Sequence, residues 1–330
     1  MRNLQNILVV IEPGQMRQPA LDRALAVNQY TQIHNASVRN GKKIETSILA
    51  VLPVNDFSKD LASVLSVEQE SDIQRSVIAK HERWLDAYLK IHAMGVKIER
   101  KVIWSKDVGP DITALVKEHG CNLIIKTADV HGMLDSVIFT PLDWQLLRHS
   151  PVPVLIAKDH MWNPTGIIAV AVNFSDPDSY EQRLVNMRLL REAQELSRLT
   201  HCEIHLINAI PPFTPPLALD MPSFSTDLVN EDNLKENLKL LLSFAERHRI
   251  APENCHVREG LPDDVIPTTC SELNPTALFI GTHARRGMAV ALIGNICERV
   301  VDELQCDIAV ITPKSVVCNL PTSEPTKKVL

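Results

Sequence analysis

Short runs rich in Val, Ile and Leu, with little polar alternation, recur at residues 6–11, 44–52, 97–103, 122–126 and 152–157. They return at 167–172, 203–210, 254–258, 277–281 and 308–312. Apolar runs of this length predict strands covered on both faces of a parallel sheet. The stretches between them have helical period. Residues 182–199 place Leu184, Met187, Leu190, Ala193, Leu196 and Leu199 on one stripe of a charged helix, and residues 233–249 place Leu234, Leu238, Leu241 and Ala245 on another. Strands alternating with helices imply parallel strands joined by right-handed crossovers. The expected fold is α/β, with two tandem doubly wound parallel five-stranded sheets of Rossmann-like winding.

The order and spacing of these runs are repeated. Residues 6–13 return at 166–174, 122–127 at 277–282, and 152–158 at 308–314, at offsets of about 155 to 161 residues. So long a period marks a tandem domain duplication, since solenoid units are only about 20–50 residues long. The domains are expected at 1–160 and 161–314, related by a pseudo-two-fold axis, with a mobile tail at 315–330 that lacks periodicity. A connector around 158–166 is punctuated by Pro164 and Gly166. Residues 31–43 read as a solvated loop or frayed helix end.

Composition agrees with two soluble domains: 330 residues, 45% hydrophobic and 22% charged. The net charge of -6 argues against nucleic acid and anionic membranes as partners, because both recruit clustered excess Lys and Arg. Seven scattered cysteines without a Cys-x-x-Cys pair point to reduced thiols. No apolar stretch reaches the roughly 18 residues of a membrane span, and the initial run is too short for a secretory signal. The protein is therefore expected in the cytoplasm.

Ligands of open parallel sheets sit beyond the carboxyl ends of the strands. There the segment from Gly281 to Asn295 leaves a strand, carries Gly281, Gly287 and Gly294, and leads into a helical stretch beginning at Ile296. Asn295 suits an N-cap, the free N–H groups after it could cradle phosphate, and Arg285 and Arg286 add positive charge. The alternative is a tight turn between core elements with both arginines solvated. His283 lies in the loop without an orienting partner. No His-Glu-x-x-His, Gly-x-Ser-x-Gly or Walker A pattern occurs, so neither a metal site nor a catalyst is specified and the chain reads as a non-enzyme.

These residues resemble the universal stress protein family. Its nucleotide-binding members carry Gly, two residues, Gly, nine residues, then Gly followed by Ser or Thr; here Gly281, Ala284, Gly294 and Asn295 stand at those places. Asn173 ends the strand where the family often has an Asp contacting adenosine, and Gly260-Leu261-Pro262 matches the family's turn before a helix. The first copy departs further, with Lys126, Asp129, Phe139 and Thr140 at the loop positions and Glu12 ending the first strand. The resemblance covers nearly the whole chain as two copies. It implies an adenine nucleotide alpha hydrolase-like winding and an intramolecular pseudo-dimer whose closing strands meet at the axis, leaving a further homodimer open. It also implies a stress-response role with protein partners that remain unknown. The implied cofactor is an adenine nucleotide, ATP or AMP, held in the second domain by Asn173, Gly260, Leu261, Gly281, Ala284, Arg285, Arg286, Gly287, Gly294, Asn295 and Ile296. The first domain would have lost nucleotide binding.

Two alternatives stand beside this reading. The Pro-rich segment 211–226, with Phe213, Leu217, Leu219, Met221 and Phe224, could be a lid over an apolar cavity holding an amphipathic lipid. A weak ATPase is the other.

Overall fold

The computed structural model describes residues 5–37, 43–55, 65–128, 140–163, 165–212, 226–281, 300 and 303–312. All ten expected strands are present: β1 (Asn6–Val10), β2 (Ser47–Asn55), β3 (Ile98–Ser105), β4 (Leu123–Thr127), β5 (Val154–Ala157), β6 (Ile167–Ala171), β7 (Glu203–Ile210), β8 (Cys255–Glu259), β9 (Ala277–Gly281) and β10 (Asp307–Ile311). Their order is β3-β2-β1-β4-β5-β10-β9-β6-β7-β8. Each half is thus doubly wound, and strand order reverses between β1 and β4 and again between β6 and β9.

The two sheets join into one. β5 and β10 pair antiparallel, with Ile156 opposite Ile308, Leu155 opposite Ala309 and Val154 opposite Val310. Two edge strands that would otherwise leave a row of backbone groups unpaired satisfy each other. The pairing is symmetric, and β4 and β9 carry it inward: Ile124 pairs with Val154 as Leu278 pairs with Ile308. Val154 therefore corresponds to Ile308, and Leu123 to Ala277.

Among the described residues seven α-helices cover the sheet: α1 (Pro19–Ser37), α2 (Val67–His92), α3 (Val108–Glu118), α4 (Pro141–His149), α5 (Tyr180–Thr200), α6 (Thr226–Arg247) and α7 (Pro262–Leu273). Leu21, Leu85, Leu189 and Leu241 pack on one face, and Ile112, Leu146, Ile266 and Leu304 on the other. Burying each such leucine is worth roughly 2 kcal/mol. Local chemistry fixes the starts: Ser66 and Gln69 form a capping box at α2, and the Ser179 hydroxyl accepts the Gln182 N–H at α5.

One expectation needs correction, and two others gain detail. Met187 and Leu238 were placed on the apolar stripes but are exposed, because α5 and α6 are rotated so that Val185, Leu189 and Leu190, and Leu241 and Phe244, face the sheet. The polar stretch beginning at Thr31 is helical as far as Ser37; the buried Thr31 hydroxyl donates to the Val27 carbonyl at 2.8 Å, so it is not left unpaired inside the protein. The connector around 158–162 is fastened to the second half by the buried Asp307 carboxylate. That carboxylate accepts from Lys158 N at 2.9 Å, His160 Nε2 at 2.9 Å, Trp162 Nε1 at 2.6 Å and Arg23 Nε at 2.5 Å. Pro164 and the tail 315–330 lie outside the described residues.

Candidate functional site

The carboxyl edge of the sheet is where chain reversal opens a crevice in each half. In the second half, β6 runs into Asn173. Its backbone is gripped by Asn186 of α5, whose Oδ1 accepts the Asn173 N–H at 3.1 Å and whose Nδ2 donates to the Asn173 carbonyl at 2.7 Å. Asn173 Oδ1 accepts the Ser175 N–H at 2.9 Å, an Asx turn that fixes the exposed carboxamide. Gly281 ends the neighbouring strand β9. A Cβ there would meet Val185 Cγ1 at 2.5 Å, so close packing of α5 on the sheet accounts for this glycine by itself. Beyond β8, Gly260 takes φ +140 and donates to the Ile210 carbonyl at 2.9 Å. Leu261 is then the half-exposed N-cap of α7, with Pro262 at its first position.

The structure thus sets Asn173, Gly260, Leu261 and Gly281 along one carboxyl edge. Ala284, Arg285, Arg286, Gly287, Gly294, Asn295 and Ile296 lie outside the described residues, as do His283 and residues 213–225 of the lid segment.

The first half carries an arrangement that sequence reasoning missed. Lys126, near the end of β4, places its buried ammonium 3.0 Å from Glu12 Oε1, just past the end of β1, and 3.1 Å from Asp143 Oδ1 on α4. The other Asp143 oxygen accepts the Thr140 N–H and hydroxyl, each at 2.8 Å, completing the capping box that starts α4. A carboxylate of the chain itself therefore occupies the positive N-terminus of this helix. Beside the triad opens a cleft of about 710 Å³, lined by Ile11, Glu12, Val54, Lys106, Thr140 and Gln145 among others.

The sheet register also corrects the matching of Lys126 with Gly281. Leu123 corresponds to Ala277, so Thr127 stands at the place of Gly281 and Lys126 at the place of Ile280. A slip of one residue turns a side chain to the opposite face. Thr127 faces α1, where its hydroxyl accepts the Ala20 N–H at 3.2 Å, while Lys126 faces α4. A lysine inside an apolar strand run, and an Asp three residues after Thr140, were the available signals.

Among the described residues no group of three or more His, Cys, Asp or Glu side chains could hold a metal ion. No helix among them is long and apolar enough to cross a membrane. The five described cysteines are free thiols. Burial, with Glu99 nearby, pushes the Cys121 thiol up to about 11, which keeps it protonated and unreactive at neutral pH.

A doubly wound parallel half, repeated in one chain and joined edge to edge, defines an internally duplicated α/β protein with a crevice at each strand-order reversal. The family model described as the universal stress protein family matches residues 3–158 and 182–312, and the chain belongs to that family. It is 37% identical over 328 residues to universal stress protein E of Photorhabdus laumondii, covering 98% of this chain and 100% of that one. It is 36% identical over 311 residues to universal stress protein E of Escherichia coli K12, with 94% of each covered. A solved universal stress protein from Pseudomonas aeruginosa UCBPP-PA14 superposes with a TM-score of 0.68 at 27% identity, covering 95% of each chain.

Proposed function

We propose that this protein serves a cytoplasmic stress response by binding a small ligand, an adenine nucleotide such as ATP or AMP, in the second half and without turning it over. The observation that carries this reading is the contrast between the two strand-order reversals. Where the first half has Glu12 and Lys126, the second has the neutral Asn173 and Ile280. A polyanion approaching β6 and β9 therefore meets no carboxylate at either position, and the Gly281 to Asn295 segment that follows contains Arg285 and Arg286. In this reading Gly287, Gly294 and the N–H groups of Asn295 and Ile296 face the phosphates, while Asn173, Gly260 and Leu261 face the base and ribose. The absence of a paired base and nucleophile in the sequence supports binding without catalysis.

Calorimetric titration of the full chain with ATP, ADP and AMP tests this, with Gly294→Asp as the control that sets a carboxylate and a Cβ against the phosphates. The expected result is saturable heat from the parent and none from the variant. A parent that gives no heat with any of the three rules the reading out.

A further inference from the structure

We infer that the His205–His256 pair is an acid-operated latch on the second-half site: while the two rings share a hydrogen bond the Gly260–Leu261 turn is held in place, and protonation of both rings releases the turn and lowers affinity for a ligand seated on it. The ligand rests on the nucleotide reading of the second half; the latch rests on the fold alone.

β8 is the last strand of the sheet and pairs only with β7, in a register that runs from Leu206 opposite Cys255 to Ile210 opposite Glu259. The next residue, Gly260, donates its N–H to the Ile210 carbonyl at 2.9 Å, so the end of this single pairing sets the turn. Earlier on the same two strands, His256 Nε2 lies 3.0 Å from His205 Nδ1, with the rings parallel to within 8°. Beyond the turn, Leu261 caps α7, and Val265 packs so close that a Cβ on Gly260 would meet its Cγ2 at 2.8 Å. Pro267 inside α7 has no N–H to give the helix, which weakens the element that holds the turn from the other side.

The rings share their bond only while one of the two nitrogens keeps its lone pair. A single added proton leaves the bond in place. A second removes the acceptor and sets two cations against each other across 3.0 Å, which drives the rings apart. Glu203 on β7 and Glu272 on α7 favour the charged rings, whereas Arg258 on β8 disfavours charge on His256 and is itself paired with Glu272, Nη1 to Oε1 at 2.7 Å. Burial outweighs the carboxylates and holds both rings below the ordinary histidine range, so the latch is shut at neutral pH and opens in acid. On the opposite face Cys255 and Val257 pack against the core, so β8 stays seated and the motion falls on the turn and α7. Linkage is reciprocal: a ligand that needs the turn in place must lower the affinity of the pair for protons.

The test follows the full chain by NMR, reading the two imidazoles and the protection of the Gly260 amide against hydrogen exchange, corrected for the intrinsic rate at each pH. Between about pH 7.5 and about pH 4.5 protection is expected to fall at least about tenfold, in step with the second ring to titrate. His205→Phe and, separately, His256→Phe should cancel that fall, and either one that folds suffices. Calorimetry with AMP over the same range should show the parent losing at least about tenfold more affinity than the variant, a ratio in which the titration of AMP itself cancels. Saturating AMP should also lower the apparent pKa of both rings. Protection that stays constant as both rings titrate, a folded phenylalanine variant that loses protection as the parent does, or AMP affinity that falls equally in parent and variant would each overturn the proposal. A parent that binds no AMP at neutral pH ends the nucleotide reading alone, because the Gly260 amide decides for or against the latch without a ligand.

Discussion

Arg23 Nε lies 2.5 Å from Asp307 Oδ2, linking α1 near the start of the chain to β10 near its end, with both side chains almost wholly removed from water. The same guanidinium donates from Nη2 to the Lys158 carbonyl at 3.0 Å and to the His160 carbonyl. One ion pair thus ties together the first half, the connector and the second half.

Asp307→Asn removes the charge and leaves the Arg23 cation buried without its counter-ion. The expected cost is about 3–5 kcal/mol, because a buried charge stripped of its partner bears its full desolvation penalty. Burial raises the Asp307 pKa, but the hydrogen bond from His160 and the charge of Arg23 outweigh it and hold the carboxyl below the usual carboxylate range. A depressed folded-state pKa gives stability that is present above the unfolded value of about 3.9 and is lost as pH falls through the folded value. Urea unfolding between neutral and strongly acidic pH should therefore show a lower midpoint for Asp307→Asn at neutral pH and a flatter acid limb. A variant as stable as the parent would mean that the pair does not clamp the halves.

His205 and His256 stack across β7 and β8 with Nδ1 of one 3.0 Å from Nε2 of the other, a contact that requires at least one ring to be neutral. Burial pushes both below the ordinary histidine range, and for His256 the charges of His205 and Arg258 add to it. Glu203 and Glu272 oppose the shift without reversing it. With folded pKa values depressed, stability is fully present above the unfolded value of about 6.5 and falls as pH drops through the folded values. Thermal melting should show a decline below about pH 6.5 that His205→Phe reduces. An identical decline in that variant would place the sensitivity elsewhere.

Lys126→Met leaves Glu12 and Asp143 facing each other without the cation between them. The expected loss is about 3–5 kcal/mol, and adding Glu12→Gln with Asp143→Asn should recover most of it, because the triple change removes every buried charge at once. Chemical denaturation of the single and triple variants measures both. A single variant that loses under about 1 kcal/mol would show the triad to be solvated in solution.

The relation between the halves explains how far the chain could be read. Strand positions, their parallel winding and the duplication were legible because strands covered on both faces must be continuously apolar, and Val, Ile and Leu runs such as those of β1 and β6 have few other uses. The capping boxes at Ser66 and Thr140 went unread although their signal is local, the side chain and the N–H that it caps being three residues apart. The assignment of Lys126 to Gly281 failed because matching two apolar runs by eye leaves a one-residue ambiguity, and in a strand one residue is a change of face. Met187 and Leu238 failed likewise, since an apolar stripe on a helix fixes its inward face only to within the rotation that neighbouring helices impose.

The sequence by itself determined the α/β class, the ten strands, the twofold repetition and the family, all of which rest on short-range periodicity or on residues that recur at fixed spacing. Only the tertiary structure decided what meets across distance. It set the register in which the closing strands β5 and β10 meet, brought Arg23 to Asp307 and drew Glu12, Lys126 and Asp143 together at the first crevice. Such contacts depend on strand order and on the direction each side chain leaves the backbone, and neither is written in the spacing of residues along the chain.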